Sequence, residues 1–315
     1  MNGRRAMAPA RTAVTVRAPA KVNLLLQVGP VRDGYHQLMT VFHAVSLFDE
    51  VTVAPAEELT IRVTGDPVLP LEAVPLGADN LAARAVRALA AALGREPEVA
   101  ISIDKCIPVA GGMAGGSADA AAALLACNHL WGAPLSHSRL LDIAATLGSD
   151  VPFPLVGSTA VGTGRGEALT PVEVGGRFHW VFAYARGGLS TPAVYAEYDR
   201  RQGGRVRRLS AAPRLLDGLR TGDVEAVGAA LDNDLQAAAL ALRPELAGTL
   251  AAGREHGALG AIVSGSGPTC AFLARDRGHA LDLAATLSAT ADCSAAGWGY
   301  GPVPGAHTII PDEPL

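Results

Sequence analysis

Lysine is nearly missing from this chain of 315 residues. Among its 26 lysine and arginine residues only Lys21 and Lys105 are lysines, so arginine fills almost every position that needs a cation. A compact ammonium and a planar guanidinium are not interchangeable, because they bind different partners in different geometries. We infer a chemical reason for keeping lysine at these two positions.

Other absences narrow the class of protein. The four cysteines form no Cys-x-x-Cys pair, which predicts neither a zinc site nor a disulfide framework. The apolar run from Ala120 to Cys127 in the central helix is far shorter than the ~18 residues that a membrane span needs. A formal net charge of −4 opposes nucleic-acid binding. We expect a soluble, cytoplasmic protein with no nucleic-acid or membrane partner.

The length of the chain predicts two domains, because a single hydrophobic core rarely serves so many residues. We expect a flexible N-terminal tail over residues 1–12, a first domain over 13–175 and a second over 176–315. The boundary is placed where Pro171 and the Gly175-Gly176 pair precede a new strand pattern. Strands and helices mix without regular βαβ alternation, which favours an α+β fold.

The hydrophobic pattern places the individual elements. Residues 13–28 indicate two extended segments broken at Pro19. Ser117 is predicted to cap the helix that follows a glycine run, with Asp119 in its first turn. Asp79 or Asn80 is predicted to cap a helix that runs to Leu93 and stops at Gly94, and Ser136 is predicted to open a helix that stops at Gly148. Further helices are expected over 224–242, 244–256 and 280–288, and further strands over 41–53, 60–63, 99–103, 151–156, 159–161, 178–183 and both ends of 259–273.

The glycine run is the strongest local signal. Four of the six residues from Gly111 to Gly116 are glycine, and they lead into an alanine-rich helix, as in backbone cradles that bind phosphate. Ser117 stands where a P-loop would carry lysine, so the positive charge must come from Lys105, six residues before the loop, or from Lys21. The alternatives are a structural turn for the glycines and solvated surface positions for the lysines.

Two further features remain open at this level. Asp150 follows a predicted helix end, where its carboxylate could position a hydroxyl and accept its proton, or could cap its own turn. The arginine cluster between Arg200 and Arg208 is interleaved with glycine, which is typical of a solvated loop.

Three ordered motifs resemble those of the GHMP kinases: Ala18-Pro-Ala-Lys-Val-Asn-Leu24, Pro108-Val-Ala-Gly-Gly-Met-Ala-Gly-Gly-Ser-Ala118 and Ser264-Gly-Ser-Gly-Pro-Thr-Cys270. Shorter segments resemble the family members that act on a substrate with a cytidine diphosphate moiety, diphosphocytidyl-methylerythritol of the non-mevalonate isoprenoid route. These segments are Asp33–His36, Ile103–Pro108, Asn128–Trp131 and Leu147–Pro152. The resemblance covers most of the chain, excepting the N-terminal tail and Arg200–Arg208.

The resemblance implies an α+β fold of two domains. One resembles ribosomal protein S5 domain 2 and binds ATP, the other is ferredoxin-like, and the active site lies between them. The implied reaction transfers the γ-phosphoryl group of ATP to the 2-hydroxyl of the substrate. By position, Asp150 is the implied catalytic base, Lys21 keeps it ionised and steadies developing charge, and Asn23 binds near the transferred group.

The resemblance also implies binding residues. The cytidine pocket would use His36 at the cytosine edge, Tyr35 and Tyr195 as stacking faces, and Thr191. Gly265 and Gly267 would contact substrate or serve turn geometry alone. Mg²⁺ would bind together with ATP and contact the Ser117 hydroxyl, although an N-cap role would explain this serine equally well. The resemblance identifies no glutamate as a further Mg²⁺ ligand. The implied ATP-binding set is Lys105, Pro108, Val109, Ala110, Gly111, Gly112, Met113, Ala114, Gly115, Gly116 and Ser117.

Other functions remain as alternatives. Within the same fold the chain could be a homoserine or mevalonate kinase, for which the segment Asp33–His36 would have no base to contact. A diphosphomevalonate decarboxylase has the same fold and is a further alternative. The resemblance of the first half to ribosomal protein S5 also suggests a nucleic-acid-binding module, but the negative net charge opposes this function. Oligomeric state is left open.

Overall fold

Two β-sheets organise this protein, whose computed structural model describes residues 13–132, 135–290 and 293–309. The tail expected over residues 1–12 lies outside these ranges. The described strands are β1 (Val14–Arg32), β2 (Tyr35–Pro55), β3 (Thr60–Gly65), β4 (Val99–Lys105), β5 (Thr159–Thr163), β6 (Ala168–Pro171), β7 (Phe178–Tyr184), β8 (Asp232–Asn233), β9 (Gly260–Val263), β10 (Cys270–Ala274), β11 (Ala295–Gly301) and β12 (His307–Ile309).

Helices cover these sheets. Those in the described ranges are α1 (Leu81–Leu93), α2 (Gly115–Leu130), α3 (His137–Leu147), α4 (Pro152–Val156), α5 (Thr191–Gln202), α6 (Pro213–Thr221), α7 (Val224–Ala229), α8 (Gln236–Leu242), α9 (Glu245–Glu255) and α10 (Arg277–Ser288), with a 3₁₀ turn at Leu71–Ala73. None of them combines the length and the apolar character that crossing a bilayer requires.

The first sheet is built around the long antiparallel hairpin of β1 and β2. Its path runs β12-β1-β2-β4-β3, with β5 and β6 extending from β2 and β8 alongside β1. The predicted break at Pro19 is wrong, because β1 continues through it with a register shift between Pro19 and Ala20. A bulge accommodates proline within a strand, since it leaves one backbone position unpaired.

Helix α2 is the buried helix of the first half and packs on β1, β2 and α1. The predicted cap at Ser117 is wrong: the helix begins at Gly115, and its N-cap is Ala114, in a left-handed conformation and without a side-chain hydrogen bond. Asp119 therefore lies beyond the first turn, buried in the core. The uncapped N-terminus leaves backbone N–H groups available to a ligand.

Two further elements differ from the sequence-based prediction. Residues 152–156 form α4 instead of a strand, because Pro152 occupies the first helical position, where its fixed φ favours a helix. The helix expected over 224–242 is divided into α7 and α8 by β8. The Asn233 side chain donates to the carbonyl oxygens of Val263 and Gly265, which holds this segment beside β1.

Several elements agree with their prediction. Helix α1 has Asn80 as N-cap and left-handed Gly94 at its end, and α3 begins after Ser136 and ends at Gly148. Strands β9 and β10 form the expected pair around a glycine turn.

The second sheet has the order β11-β7-β10-β9 and lies against α10. Two elements of the second half, β8 and β12, pair with β1 of the first sheet. Chain crossings therefore join the two halves. The division of the chain near residue 175 stays a prediction.

Candidate active site

Three segments that are distant in sequence meet at one place. The Lys21 backbone N–H donates to the carbonyl oxygen of Met113 at 3.2 Å, which ties β1 to the glycine loop. The Ser264 hydroxyl donates to the carbonyl oxygen of Gly112 at 3.2 Å, and this ties the loop to the turn between β9 and β10. The motifs selected from the sequence therefore line one site.

Close approach explains glycine at two of these positions. A Cβ on Gly112, whose φ is +78°, would overlap the carbonyl oxygen of Ser264. A Cβ on Gly265 would lie 3.2 Å from Lys21 Nζ and 3.3 Å from Asn23 Oδ1. A larger residue at position 265 would push these two polar side chains away from the site.

The glycine loop has the backbone geometry of an anion-binding nest. Alternate residues of the loop, Ala110, Gly112 and Ala114, have positive φ, which turns successive N–H groups towards a common side. Two of them are alanines, for which the left-handed region costs about 1–2 kcal/mol each. This strain and the uncapped N-terminus of α2 favour a bound phosphate, because N–H groups and the helix dipole both attract negative charge.

Lys21 and Asp150 form the charged centre of the site. Lys21 Nζ lies 3.5 Å from Asp150 Oδ2, with the lysine side chain 5% exposed and the aspartate side chain 39% exposed. Lys21 also donates to Asn23 Oδ1 at 2.5 Å, since residues two apart on a strand face the same side. Asn23 is held in turn by Thr40, whose hydroxyl accepts from Asn23 Nδ2 at 2.8 Å. The arrangement offers a reactive hydroxyl both a carboxylate and a cation.

Lys105 has other partners than Lys21 and belongs to a buried ion cluster beside Gly115. Its ammonium donates to Asp49 and to Asp119, at 2.8 Å for the latter, and the whole residue is 2% exposed. Asp49 Oδ1 also accepts from the backbone N–H groups of Cys106 and Ile107, just before the glycine loop. The cluster thus connects β2, the start of the loop and helix α2. The expected contact of Lys105 with ATP stays a prediction.

Protonation in this cluster follows from burial and charge. Burial alone lowers the pKa of Lys105, but the carboxylates of Asp119 and Asp49 outweigh it, so the net shift is upward and the ammonium stays charged. Burial raises the pKa of Asp119 well above its usual range, and Asp49 adds to the rise against the opposing effect of Lys105. Asp119 Oδ1 has no hydrogen-bond partner among the described residues. We therefore expect Asp119 to take up a proton more readily than an ordinary aspartate.

The residues expected to bind cytidine lie where the β1–β2 hairpin meets α5. The His36 and Tyr195 rings stack with centroids 5.5 Å apart and planes at 25°. Tyr35 is 58% exposed, and the Arg165 guanidinium lies 5.2 Å from its ring centroid. Burial raises the pKa of the Tyr195 phenol, and the charge of Asp150 adds to the rise. Tyr195 is therefore close enough to Asp150 to respond to its charge.

The remaining expected contacts divide into two groups. The Thr191 hydroxyl lies 2.8 Å from that of Ser266, which links α5 to the glycine turn beside Lys21. Gly267 faces Val263 and Leu189, so its left-handed φ of +82° serves the turn. Whether any of these groups touches a substrate stays a prediction.

The arginine-rich segment is partly tied to the protein surface. Arg200 and Arg201 pair with Glu197 on α5. Arg207 pairs with Asp232 and Asp234 around β8. These contacts connect the segment to α5 and to the neighbourhood of β1, which the loop-like composition did not indicate.

Four residues of the site were not predicted from the sequence: Asp49, Thr40, Ser266 and Asp199. Asp49 is separated from Lys105 by 56 positions, and no local pattern connects them. Asp199 had a detectable signal, because Thr191, Tyr195 and Asp199 are spaced by four and so share one face of a helix.

The fold and the site are those of a small-molecule phosphotransferase. A family profile described as GHMP kinases N terminal domain matches residues 80–158, and one described as GHMP kinases C terminal matches residues 215–293. The chain belongs to the GHMP kinase family and has its two-domain fold. Kinases of this family use ATP as the phosphoryl donor.

Individual members of the family are similar to this chain over most of its length. The chain is 57% identical to 4-diphosphocytidyl-2-C-methyl-D-erythritol kinase of Thermobifida fusca over 95% of this chain and 99% of that one. It is 59% identical to the enzyme of the same name from Streptomyces avermitilis, over 94% of this chain and 100% of the relative. A crystal structure of 4-(cytidine 5'-diphospho)-2C-methyl-D-erythritol kinase matches with a TM-score of 0.73 at 33% identity, covering 91% and 98% of the two chains. Homoserine kinase from Cytophaga hutchinsonii, at 19% identity and a TM-score of 0.71, shares the fold.

Proposed function

We propose that this protein is an ATP-dependent kinase that phosphorylates the 2-hydroxyl of 4-diphosphocytidyl-2-C-methyl-D-erythritol, in the non-mevalonate route to isoprenoid precursors. The observation that carries the proposal is the Lys21–Asp150 pair, which lies beside a backbone anion cradle. Relatives at 57% and 59% identity over nearly the whole chain carry the name of this kinase.

The reaction follows from the two charged groups. Asp150 accepts the proton of the substrate hydroxyl as its oxygen forms a bond to the γ-phosphorus, and the bond from that phosphorus to ADP breaks. Lys21 lies 3.5 Å from Asp150 and stabilises negative charge on the attacking and transferring oxygens. Asn23, which accepts from Lys21, keeps the ammonium directed into the site. This step forms ADP and a phosphate ester.

The phosphates of ATP are proposed to bind along the loop from Pro108 to Ser117, with the nest and the N-terminus of α2 supplying attraction. Lys105 stabilises this loop through its ion pairs with Asp49 and Asp119. Mg²⁺ prefers oxygen ligands, and the half-buried Ser117 hydroxyl and the partly exposed Asp150 carboxylate fit that preference. When bound, the ion would neutralise charge on the phosphates.

The cytidine group is proposed to bind at His36, between the aromatic faces of Tyr35 and Tyr195, since a flat base gains stability from stacking. Thr191 and Gly265 are proposed to contact the substrate beside Lys21, whereas Gly267 serves the geometry of the turn. The protein is proposed to act in the cytoplasm on this small molecule without a nucleic-acid partner.

A coupled assay of ADP release tests the proposal. We expect turnover with diphosphocytidyl-methylerythritol at least 100-fold more efficient, in kcat/KM, than with homoserine or mevalonate. Carbon dioxide release from diphosphomevalonate serves as the control for the decarboxylase activity of the same fold. Preferred turnover of homoserine or mevalonate, or release of carbon dioxide, would contradict the proposal.

A further inference from the structure

The His36 ring is fixed by three neighbours. Its Nδ1 lies 2.9 Å from the carbonyl oxygen of Gly29, which can only accept, so Nδ1 carries a proton and donates it. One ring face stacks on Tyr195, and the Tyr198 ring meets it edge-on at 6.1 Å. Tyr198 is itself held by its hydroxyl, which donates to the carbonyl oxygen of Val28 at 3.0 Å. The second ring nitrogen therefore has one defined direction.

That direction points to Asp199. His36 Nε2 lies 3.2 Å from Asp199 Oδ1 and 3.3 Å from Oδ2, although the two residues are 163 positions apart. Asp199 follows Tyr195 by four positions on α5, so the carboxylate and the stacking ring lie on the same face of the helix. The Asp199 side chain is 55% exposed, which leaves room on its oxygens for another donor.

A carboxylate in this position distinguishes one pyrimidine from the other. Cytosine carries an exocyclic amino group, which donates, at the ring position where uracil carries a carbonyl oxygen, which accepts. An ionised carboxylate only accepts, so it binds the amino group and repels the carbonyl oxygen. Aspartate accepting from the cytosine amino group is a recurrent pairing in base recognition.

We propose that Asp199 is a specificity-determining residue that selects cytosine over uracil by accepting a hydrogen bond from the exocyclic amino group. The inference rests on the proposed function, since it assumes a nucleotide substrate at His36. Both ring nitrogens of His36 face protein groups, and Asp199 supplies the acceptor at the base edge from the other half of the chain. Tyr195 supplies stacking for either base, and Asp199 supplies the choice between them.

The test compares kcat/KM for diphosphocytidyl-methylerythritol with that for its uridine counterpart. In Asp199→Asn the amide can donate to the uracil oxygen, so we expect the cytosine preference to fall about 10-fold or more relative to the parent. The KM for ATP should stay within twofold. Asp199→Glu, which keeps the carboxylate, should retain a larger cytosine preference than the asparagine variant. Asp217→Asn, at an exposed aspartate of α6 that pairs with Arg220, is the matched control and should leave the preference unchanged.

A cytosine preference unchanged in Asp199→Asn, with the protein folded by circular dichroism, would overturn the inference. If the parent turns over neither substrate, the proposed function fails, and base selection is then measured by calorimetric binding of CMP and UMP. An approximately 10-fold loss of CMP preference in Asp199→Asn would support the role of Asp199. Equal preference in parent and variant would refute it.

Discussion

The two lysines should respond in opposite ways to the same substitution. Lys105 neutralises two buried carboxylates, of which Asp49 is fully buried and Asp119 is 3% exposed. Lys105→Met removes the cation and leaves both carboxyl groups in the interior. Breaking a buried ion pair costs roughly 3–5 kcal/mol, because the remaining charge is uncompensated.

The structure favours the lower end of this range. Asp49 keeps two backbone N–H donors in the variant, and Asp119, whose pKa is already raised by burial, can take up a proton. A loss of about 3 kcal/mol corresponds to a urea midpoint lower by about 1 M, for a denaturant slope of about 3 kcal/mol per M. In Lys105→Met/Asp119→Leu we expect at least half of this loss to be recovered, since an apolar pair replaces the ions.

Lys21→Met should behave differently. Its partner Asp150 is partly solvated, so the free energy of unfolding should change by about 1 kcal/mol or less. Its kcat should fall about 100-fold or more, because a group that stabilises transition-state charge is lost. Urea denaturation and steady-state kinetics of both variants give the comparison. A Lys105→Met protein with an unchanged midpoint and a raised KM for ATP would refute the structural role of Lys105.

Three other substitutions test the glycine loop, the buried His43 and the proposed cytidine pocket. Gly112→Ala should destabilise the fold by about 2 kcal/mol or more, because its Cβ meets the Ser264 carbonyl at a left-handed φ. Gly116→Ala, whose Cβ makes only an ordinary contact with Leu81, should be neutral or stabilising, and equal denaturation midpoints would contradict this. Burial lowers the pKa of His43 to about 3, so the unfolded chain binds more protons below pH 6.5, and stability should fall by about 1.4 kcal/mol per unit from there towards pH 3. His43→Gln should flatten this slope in acid denaturation, unlike the exposed His137→Gln. Tyr35→Ala should raise the KM for the cytidine substrate about 10-fold without changing that for ATP; equal weakening of both would remove Tyr35 from the cytidine pocket.

Local signals in the sequence were sufficient for much of the fold. Caps at Asn80 and Ser136 and the ends at Gly94 and Gly148 are properties of a few neighbouring residues, and these predictions are confirmed. The helix expected over 224–242 is wrong because Asn233 forms hydrogen bonds with a turn about 30 positions away. Helical periodicity contains no information on such a contact.

In the candidate site, too, local signals were predictive and distant contacts were not. The three motifs identified the segments that meet, because each carries an unusual residue type at a fixed spacing. The separate environments of the two lysines could not be predicted, since the partners of Lys105 lie 56 and 14 positions away and act through burial. The predicted cap at Ser117 is wrong because α2 begins two residues earlier, after a left-handed Ala114 that makes no side-chain cap, and capping preferences do not indicate such a start.

We infer that Asp150 accepts the proton of the substrate hydroxyl and that ATP binds without help from this carboxylate. Phosphorus NMR of the product, with ATP affinity from calorimetry, tests it in the parent and in Asp150→Asn. We expect the parent to form a phosphate ester at the 2-hydroxyl of diphosphocytidyl-methylerythritol. The variant should form it at least 1,000-fold more slowly while binding ATP within about threefold of the parent. Turnover by Asp150→Asn at a rate near that of the parent would contradict the role of Asp150 as proton acceptor.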